Sequence, residues 1–321
     1  MDAVRHRQVA VNGISMHVAE LGSGPPVIMC HGFPHLWYSW RHQLPAVAAA
    51  GWRAVAPDMR GYGATDRPDA VADYRVDRVV ADVVGLLDEL GEERAVFAGF
   101  DFGAELVWSV ALRAPERVRA AIVINNPFLG RSPVRPSDYF ARLAQKHFVH
   151  VHYFMEPGVA DAELASQPRQ FLTRVFWALS GQCDYFETWK APPGVGYLDA
   201  LPEAPPLPWS WMTEAEMDAY VEQFTRTGFT GGLNWYRALD LNWEASAPFG
   251  EAKVEVPVFF LAGERDCDLA GFSGPDPLGR MSSLLTDLRE TVMVPEAGHL
   301  VVMERPVEVN AAIGRFLRSL A

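Results

Sequence analysis

Cysteine is scarce: Cys30, Cys183 and Cys267 are the only three in 321 residues, and their spacing matches no metal-ligand pattern. The expectation is a reducing, cytoplasmic setting without a disulfide framework, although one bridge is arithmetically open. Basic residues are also in deficit, 28 Lys and Arg against 40 Asp and Glu, for a formal net charge of −12. That balance excludes nucleic-acid binding led by phosphate contacts, and no Lys/Arg run invites an anionic membrane. Long apolar runs are missing too. Nothing approaches the roughly 18 consecutive apolar residues of a spanning helix, and Met1 to Arg7 lacks the apolar stretch of a secretory signal. Neither a cofactor nor a metal is expected, and a homodimer is left open.

What is present is ordinary globular material, 49% hydrophobic and 21% charged, in a chain whose length alone suggests about two domains. Arg5–Val11 and Ile14–Glu20 alternate in polarity around Asn12-Gly13, a favoured two-residue hairpin turn. Strand-length apolar runs follow at Val27–Cys30, Arg53–Pro57, Val96–Gly99 and Ala120–Asn125, with a helical pattern over Val79–Leu90. This alternation predicts a mostly parallel sheet with helices on both faces. It then stops: residues 128–246 read as helical, aromatic-rich and interrupted by a proline-rich connection from Ala191 to Pro208. Strands resume at Val256–Leu261 and Glu290–Val294, and an amphipathic helix over Pro306–Leu317 closes the pattern. The expected organisation is a core of residues 1–127 and 247–321 carrying an inserted helical cap of 128–246.

The chemistry gathers at predicted strand ends. Gly99-Phe100-Asp101-Phe102-Gly103 follows one strand and opens a helix. In α/β hydrolases that junction forms a strained elbow, normally Gly-x-Ser-x-Gly, that presents a nucleophile above the sheet. Here it presents Asp101. Asp266, in Gly263-Glu264-Arg265-Asp266, follows the next-but-one strand, and His299 follows the last. Taken singly, Asp266 reads as a turn cap and His299 as a partly buried histidine. Together, in the order nucleophile, acid, histidine, they read as the triad of this fold. Asp268 is a second candidate acid, but Asp266 fits the Gly-x-x-Asp spacing. His31-Gly32-Phe33-Pro34 follows the first parallel strand, so the backbone N–H groups of Phe33 and Phe102 are the expected oxyanion hole.

His31-Gly32-Phe33-Pro34 with Trp37-Tyr38-Ser39-Trp40-Arg41, and Asp58-Met59-Arg60-Gly61-Tyr62-Gly63, closely resemble the soluble-type epoxide hydrolases. In the cap, Tyr153-Phe154-Met155-Glu156-Pro157-Gly158 and Leu233-Asn234-Trp235-Tyr236-Arg237 resemble the two lid segments of that family. The resemblance implies an α/β-hydrolase fold and conversion of an epoxide to a vicinal diol, with water as co-substrate. It implies a covalent ester on Asp101, water activated by His299 and Asp266, and Tyr153 and Tyr236 as the phenols that protonate the ring oxygen. The aromatic cap favours a bulky or aryl epoxide. Phe100 and Phe102 stand where the family usually has His and Trp. Haloalkane dehalogenases, the rival on this fold, usually cradle halide with a Trp N–H just after the nucleophile, and Phe102 weighs against them. A non-catalytic binding protein is the other alternative.

Overall fold

The computed structural model describes residues 3–320. Met1, Asp2 and Ala321, at the outer ends of the expected core segments, lie outside the described residues. Strands β1 (Arg5–Val11) and β2 (Ile14–Leu21) form the hairpin, and Asn12 and Gly13 take φ of 45° and 79° at its turn, the left-handed pair that a tight hairpin needs. β3 (Pro26–Cys30), β4 (Arg53–Pro57), β5 (Ala95–Phe100), β6 (Val118–Ile124), β7 (Val258–Gly263) and β8 (Leu288–Val294) complete one sheet in the order β1-β2-β4-β3-β5-β6-β7-β8. β2 pairs antiparallel with β1 and β4, and all other pairs are parallel.

Every residue of β3, β5 and β7 is buried. Because alternate side chains point to opposite faces, complete burial requires cover on both. That cover comes from α1 (Gln43–Ala49), α2 (Val76–Glu89) and α3 (Phe102–Arg113), joined later in the chain by a C-terminal helix. α2 turns Val76, Val79, Val80, Val83, Leu86 and Leu87 inward at three- and four-residue intervals.

Between Ile124 and Val258 the chain departs from the sheet. Its described elements include α4 (Pro136–Ala144), α5 (His150–Met155), α6 (Val159–Ser166), α7 (Pro168–Leu179), α8 (Tyr197–Ala200), α9 (Glu214–Thr227), α10 (Thr230–Arg237) and α11 (Leu239–Ala245). Phe154, Phe171, Phe176, Tyr220 and Phe229 are fully buried among them, so the insertion has an aromatic core of its own. After β7 come α12 (Pro277–Leu284), α13 (Val301–Glu304) and α14 (Pro306–Ser319). α14 packs on α1 and β8, and Phe316 stacks on Phe259 of β7 at 5.2 Å. The parallel strands therefore end at one edge of the sheet, beneath the helical insertion, and ligands of open α/β sheets bind at that edge.

Candidate active site

Asp101 sits between β5 and α3 with φ 55° and ψ −132°, a strained conformation for a non-glycine residue. The turn is possible because its neighbours are small. A Cβ on Gly99 would lie 2.1 Å from the Gly103 carbonyl oxygen, and one on Gly32 would lie 1.8 Å from Asp101 Oδ1. The bare backbone at position 32 lets the Phe33 N–H donate to Asp101 Oδ1 at 2.7 Å. The loop bearing Phe33 is itself held: His31 Nδ1 donates to the Gly32 carbonyl at 2.9 Å, and His31 Nε2 accepts from the Met59 N–H at 3.1 Å. The Phe33–Pro34 peptide is cis.

His299 Nε2 lies 3.2 Å from Asp101 Oδ2, while its Nδ1 lies 3.2 and 3.3 Å from the two oxygens of Asp266 and 3.9 Å from Asp268 Oδ2. Asp266 is fully buried, and its Oδ1 accepts the Asp268 N–H at 2.8 Å. Asp268 is the more open carboxylate and takes a hydrogen bond from Asn126 Nδ2 at 3.0 Å. Burial opposes charge on His299, but Asp266, Asp268 and Asp101 outweigh it and hold the imidazole well above its ordinary pKa. Burial likewise opposes ionisation of Asp101. The His299 and His35 imidazoles and the Phe102 N–H prevail and keep it below the usual carboxylate range. Burial, assisted by the charges of Asp266 and Asp101, pushes Asp268 up to about 7.

Above these groups lies a cavity with about 380 Å³ of empty space including its mouth. Asp101, His299 and Asp268 form part of its floor, and Phe33, His150, Phe154, Tyr185, Tyr197 and Tyr236 are among its walls. Tyr236 comes from α10, and its ring meets Phe102 at 4.7 Å and Phe33 at 5.5 Å, both edge-on. Its hydroxyl has no hydrogen-bond partner among the described residues and is not sealed off, so it is free to meet a ligand. Burial and the Asp101 charge raise its pKa well above the usual phenol, which keeps the proton on the oxygen.

Tyr153, the expected partner of Tyr236, is not among the cavity-lining residues. Its hydroxyl donates to Glu163 Oε2 at 2.9 Å, and Glu163 in turn accepts the Tyr197 and Leu198 N–H groups at the start of α8. The reason is helical phase. On α5 the residues four apart, His150 and Phe154, face the cavity, and Tyr153, about 100° round from Phe154, faces α6. His150, Tyr185 and Tyr197 also line the cavity, though no motif in the sequence marks them. Helical spacing four residues before Phe154 is the one sequence signal for His150.

A family model described as the alpha/beta hydrolase fold matches residues 25–172. Along its full length the chain is 43% identical to epoxide hydrolase A of Mycobacterium tuberculosis, with 100% of this chain and 99% of the relative aligned. Among solved structures, epoxide hydrolase A from Mycobacterium thermoresistibile superposes with a TM-score of 0.92 at 42% identity over 98% of both chains. An epoxide hydrolase from an endophytic Streptomyces superposes with a TM-score of 0.94 at 38% identity, over 99% of this chain and 96% of that one. Likeness at this level runs through the helical insertion as well as the sheet, beyond what a shared core would produce, and the chain belongs to the epoxide hydrolase family.

Proposed function

We propose that the chain converts an epoxide and water to a vicinal diol through an alkyl ester on Asp101. The observation that carries this reading is the meeting, in one cavity, of an ionised Asp101 held by the Phe33 N–H, a free Tyr236 hydroxyl above it, and His299 backed by Asp266. Asp101 Oδ2 attacks a ring carbon, the C–O bond breaks, and its electron pair goes to the ring oxygen, which takes the phenolic proton of Tyr236. A carboxylate suits this step because the ester it forms can be hydrolysed, whereas a serine would leave an inert ether. His299 then draws a proton from water as the water adds to the ester carbonyl, and the Phe33 and Phe102 N–H groups hold the resulting oxyanion, typically for about 3 kcal/mol per donor. The diol leaves with the proton from His299, and the proton released as Asp101 re-ionises restores the Tyr236 phenol.

The segment 128–246 serves as the cap that delivers Tyr236. The aromatic walls favour an aryl or otherwise apolar epoxide. Cys30, Cys183 and Cys267 are all free thiols, in keeping with a reducing, cytoplasmic setting. Halide release has no comparable support: among the described residues no tryptophan lines the cavity, and Trp235, packed on Phe102, donates its indole N–H to the Arg60 carbonyl instead.

The test is to incubate the purified protein, with Asp101→Asn alongside, with aryl and alkyl epoxides, haloalkanes and simple esters. Diol formed from an aryl epoxide by the wild type and lost in the variant supports the reading. Halide release, or diol formation by a variant proven free of deamidation, overturns it, and turnover confined to small polar epoxides removes the aryl preference.

A further inference from the structure

Tyr236 provides one free donor above Asp101, and the face of α5 opposite it carries no phenol. What stands there is His150, whose ring centroid lies 6.1 Å from that of Tyr236 at an interplanar angle of 87°. His150 Nδ1 is 2.7 Å from the Tyr185 hydroxyl, which is 2.9 Å from the Tyr197 hydroxyl. His150 Nε2 has no partner among the described residues, is not sealed from the cavity, and belongs to a ring that lines it. One imidazole nitrogen is thus committed to the Tyr185 hydroxyl, itself tied to Tyr197, while the other nitrogen is left for a ligand.

We propose that His150 is the second catalytic donor to the epoxide oxygen, paired with Tyr236, and that Tyr185 and Tyr197 fix its tautomer. This inference rests on the ring-opening reading above and names a group within the same site. In the proposed arrangement the Tyr197 O–H donates to the Tyr185 oxygen and the Tyr185 O–H donates to His150 Nδ1, along the contacts of 2.9 and 2.7 Å. In that sense Nδ1 accepts, so Nε2 carries the hydrogen and points a donor at the ligand. Burial pushes the imidazole down to about 4, so near neutral pH it is the uncharged ring, with a single N–H whose position the tyrosines decide. During ring opening the oxygen takes the Tyr236 proton and one hydrogen bond from His150 Nε2–H, which stabilises the negative charge that builds on it. Tyr185 is a positioning residue: its hydroxyl is taken up by His150 and Tyr197. Tyr197 stacks on Phe148 at 5.2 Å and His150 at 5.9 Å, as part of the wall.

The experiment separates the two chemical steps. Wild type, Tyr236→Phe, His150→Phe, His150→Gln, Tyr185→Phe and Tyr197→Phe are mixed with styrene oxide under single-turnover conditions. Acid quenching and mass spectrometry then follow the rise and decay of the Asp101 adduct, with near-ultraviolet circular dichroism as the check on folding. His150→Phe should slow adduct formation about 100-fold and change its hydrolysis by less than about threefold, because the donor acts on the ring oxygen alone. His150→Gln, which restores an N–H donor of similar reach, should recover at least about tenfold of the loss, and Tyr185→Phe should slow adduct formation about tenfold with hydrolysis preserved. The proposal is overturned if His150→Phe forms the adduct at the wild-type rate, if His150→Phe and His150→Gln slow both steps equally, or if Tyr197→Phe is the more damaging change. Should His150→Phe fail to fold, the Gln and Tyr185 variants decide by the same split between steps. Absence of an adduct in the wild type overturns the ring-opening reading and this inference with it. A slowed Tyr236→Phe beside an unaffected His150→Phe overturns this inference alone.

Discussion

At the scale of single residues, the two steps of the proposed reaction make opposite demands on protons. Ring opening needs Asp101 ionised, and its depressed pKa satisfies that well into the acid range. Ester hydrolysis needs His299 without its proton, and Asp266, Asp268 and Asp101 hold that proton above the ordinary pKa. Forming the ester removes the Asp101 charge and lowers the His299 pKa, but the other two carboxylates remain. Hydrolysis should therefore accelerate as pH rises while alkylation stays nearly flat, so more alkyl-enzyme should accumulate at pH about 5 than at pH about 8. Asp268, pushed up to about 7, gains its charge in the same range and makes the rise shallower than that of one isolated group. Quenched-flow mass spectrometry across pH reads this directly; equal accumulation at both ends would remove His299 as the base. The acids are also separable. Asp266→Asn should slow hydrolysis by about 100-fold or more and Asp268→Asn by about tenfold or less, because Asp266 is the closer and more deeply buried partner of His299. Comparable losses would assign the role to the pair. That Asp101, Asp266 and His299 meet is legible in the sequence because each follows a strand whose end is itself legible. Tyr153 misled because its place in a motif says nothing about which way a helix of six residues is rotated.

Elements, rather than residues, decide where Tyr236 stands. α10 begins against the loop after β4: a Cβ on Gly231 would lie 2.2 Å from the Gly61 carbonyl oxygen, and Trp235 Nε1 donates to the Arg60 carbonyl at 3.0 Å. The loop is held in its turn by Asp58, which accepts N–H groups from Trp37 and Ala64 and lies 2.8 Å from His17 Nδ1. The Asp58 to Gly63 motif therefore acts as a seat for the cap helix while the neighbouring His31 loop aims the Phe33 N–H. Gly231→Val should lift the start of α10 by wedging backbone from backbone, displacing Tyr236 by an ångström or so, a misplacement that can cost about 100-fold in rate. The expected signature is slowed Asp101 alkylation with ester hydrolysis little changed, read by single-turnover kinetics. An unaltered alkylation rate would show that α10 is not seated through this contact. The sheet was readable because buried parallel strands are continuous apolar runs: Arg53–Pro57 is found as expected, and β7 and β8 are shifted by two residues at one or both ends. Cap helices are short and joined by loops, so their existence was readable but their rotation was not.

For the whole molecule, the question is what keeps a helical insertion of this size in register with a sheet it interrupts. One answer is the buried pair of Arg60 and Asp82, joined by two hydrogen bonds at 2.7 and 2.6 Å. Asp82 belongs to α2 and also accepts Asn12 Nδ2 of the β1–β2 turn at 2.8 Å, while the Arg60 carbonyl receives Trp235 from the cap. Hairpin, helix, catalytic-edge loop and cap thus meet at one ion pair, which is almost inaccessible to water. Its net worth relative to apolar packing is small, since both ions must be stripped of water. Breaking it from one side is another matter. Asp82→Leu leaves the guanidinium buried and unpaired, and should destabilise the protein by about 3–5 kcal/mol, lowering the melting temperature by roughly 4–7 °C. Combining it with Arg60→Leu should restore much of that loss, because no stranded charge remains. Thermal unfolding of the two single variants and the double gives the coupling. A double variant as unstable as the sum of the singles would show that the pair contributes only through packing, and that hairpin, helix and cap are held together by their apolar contacts alone.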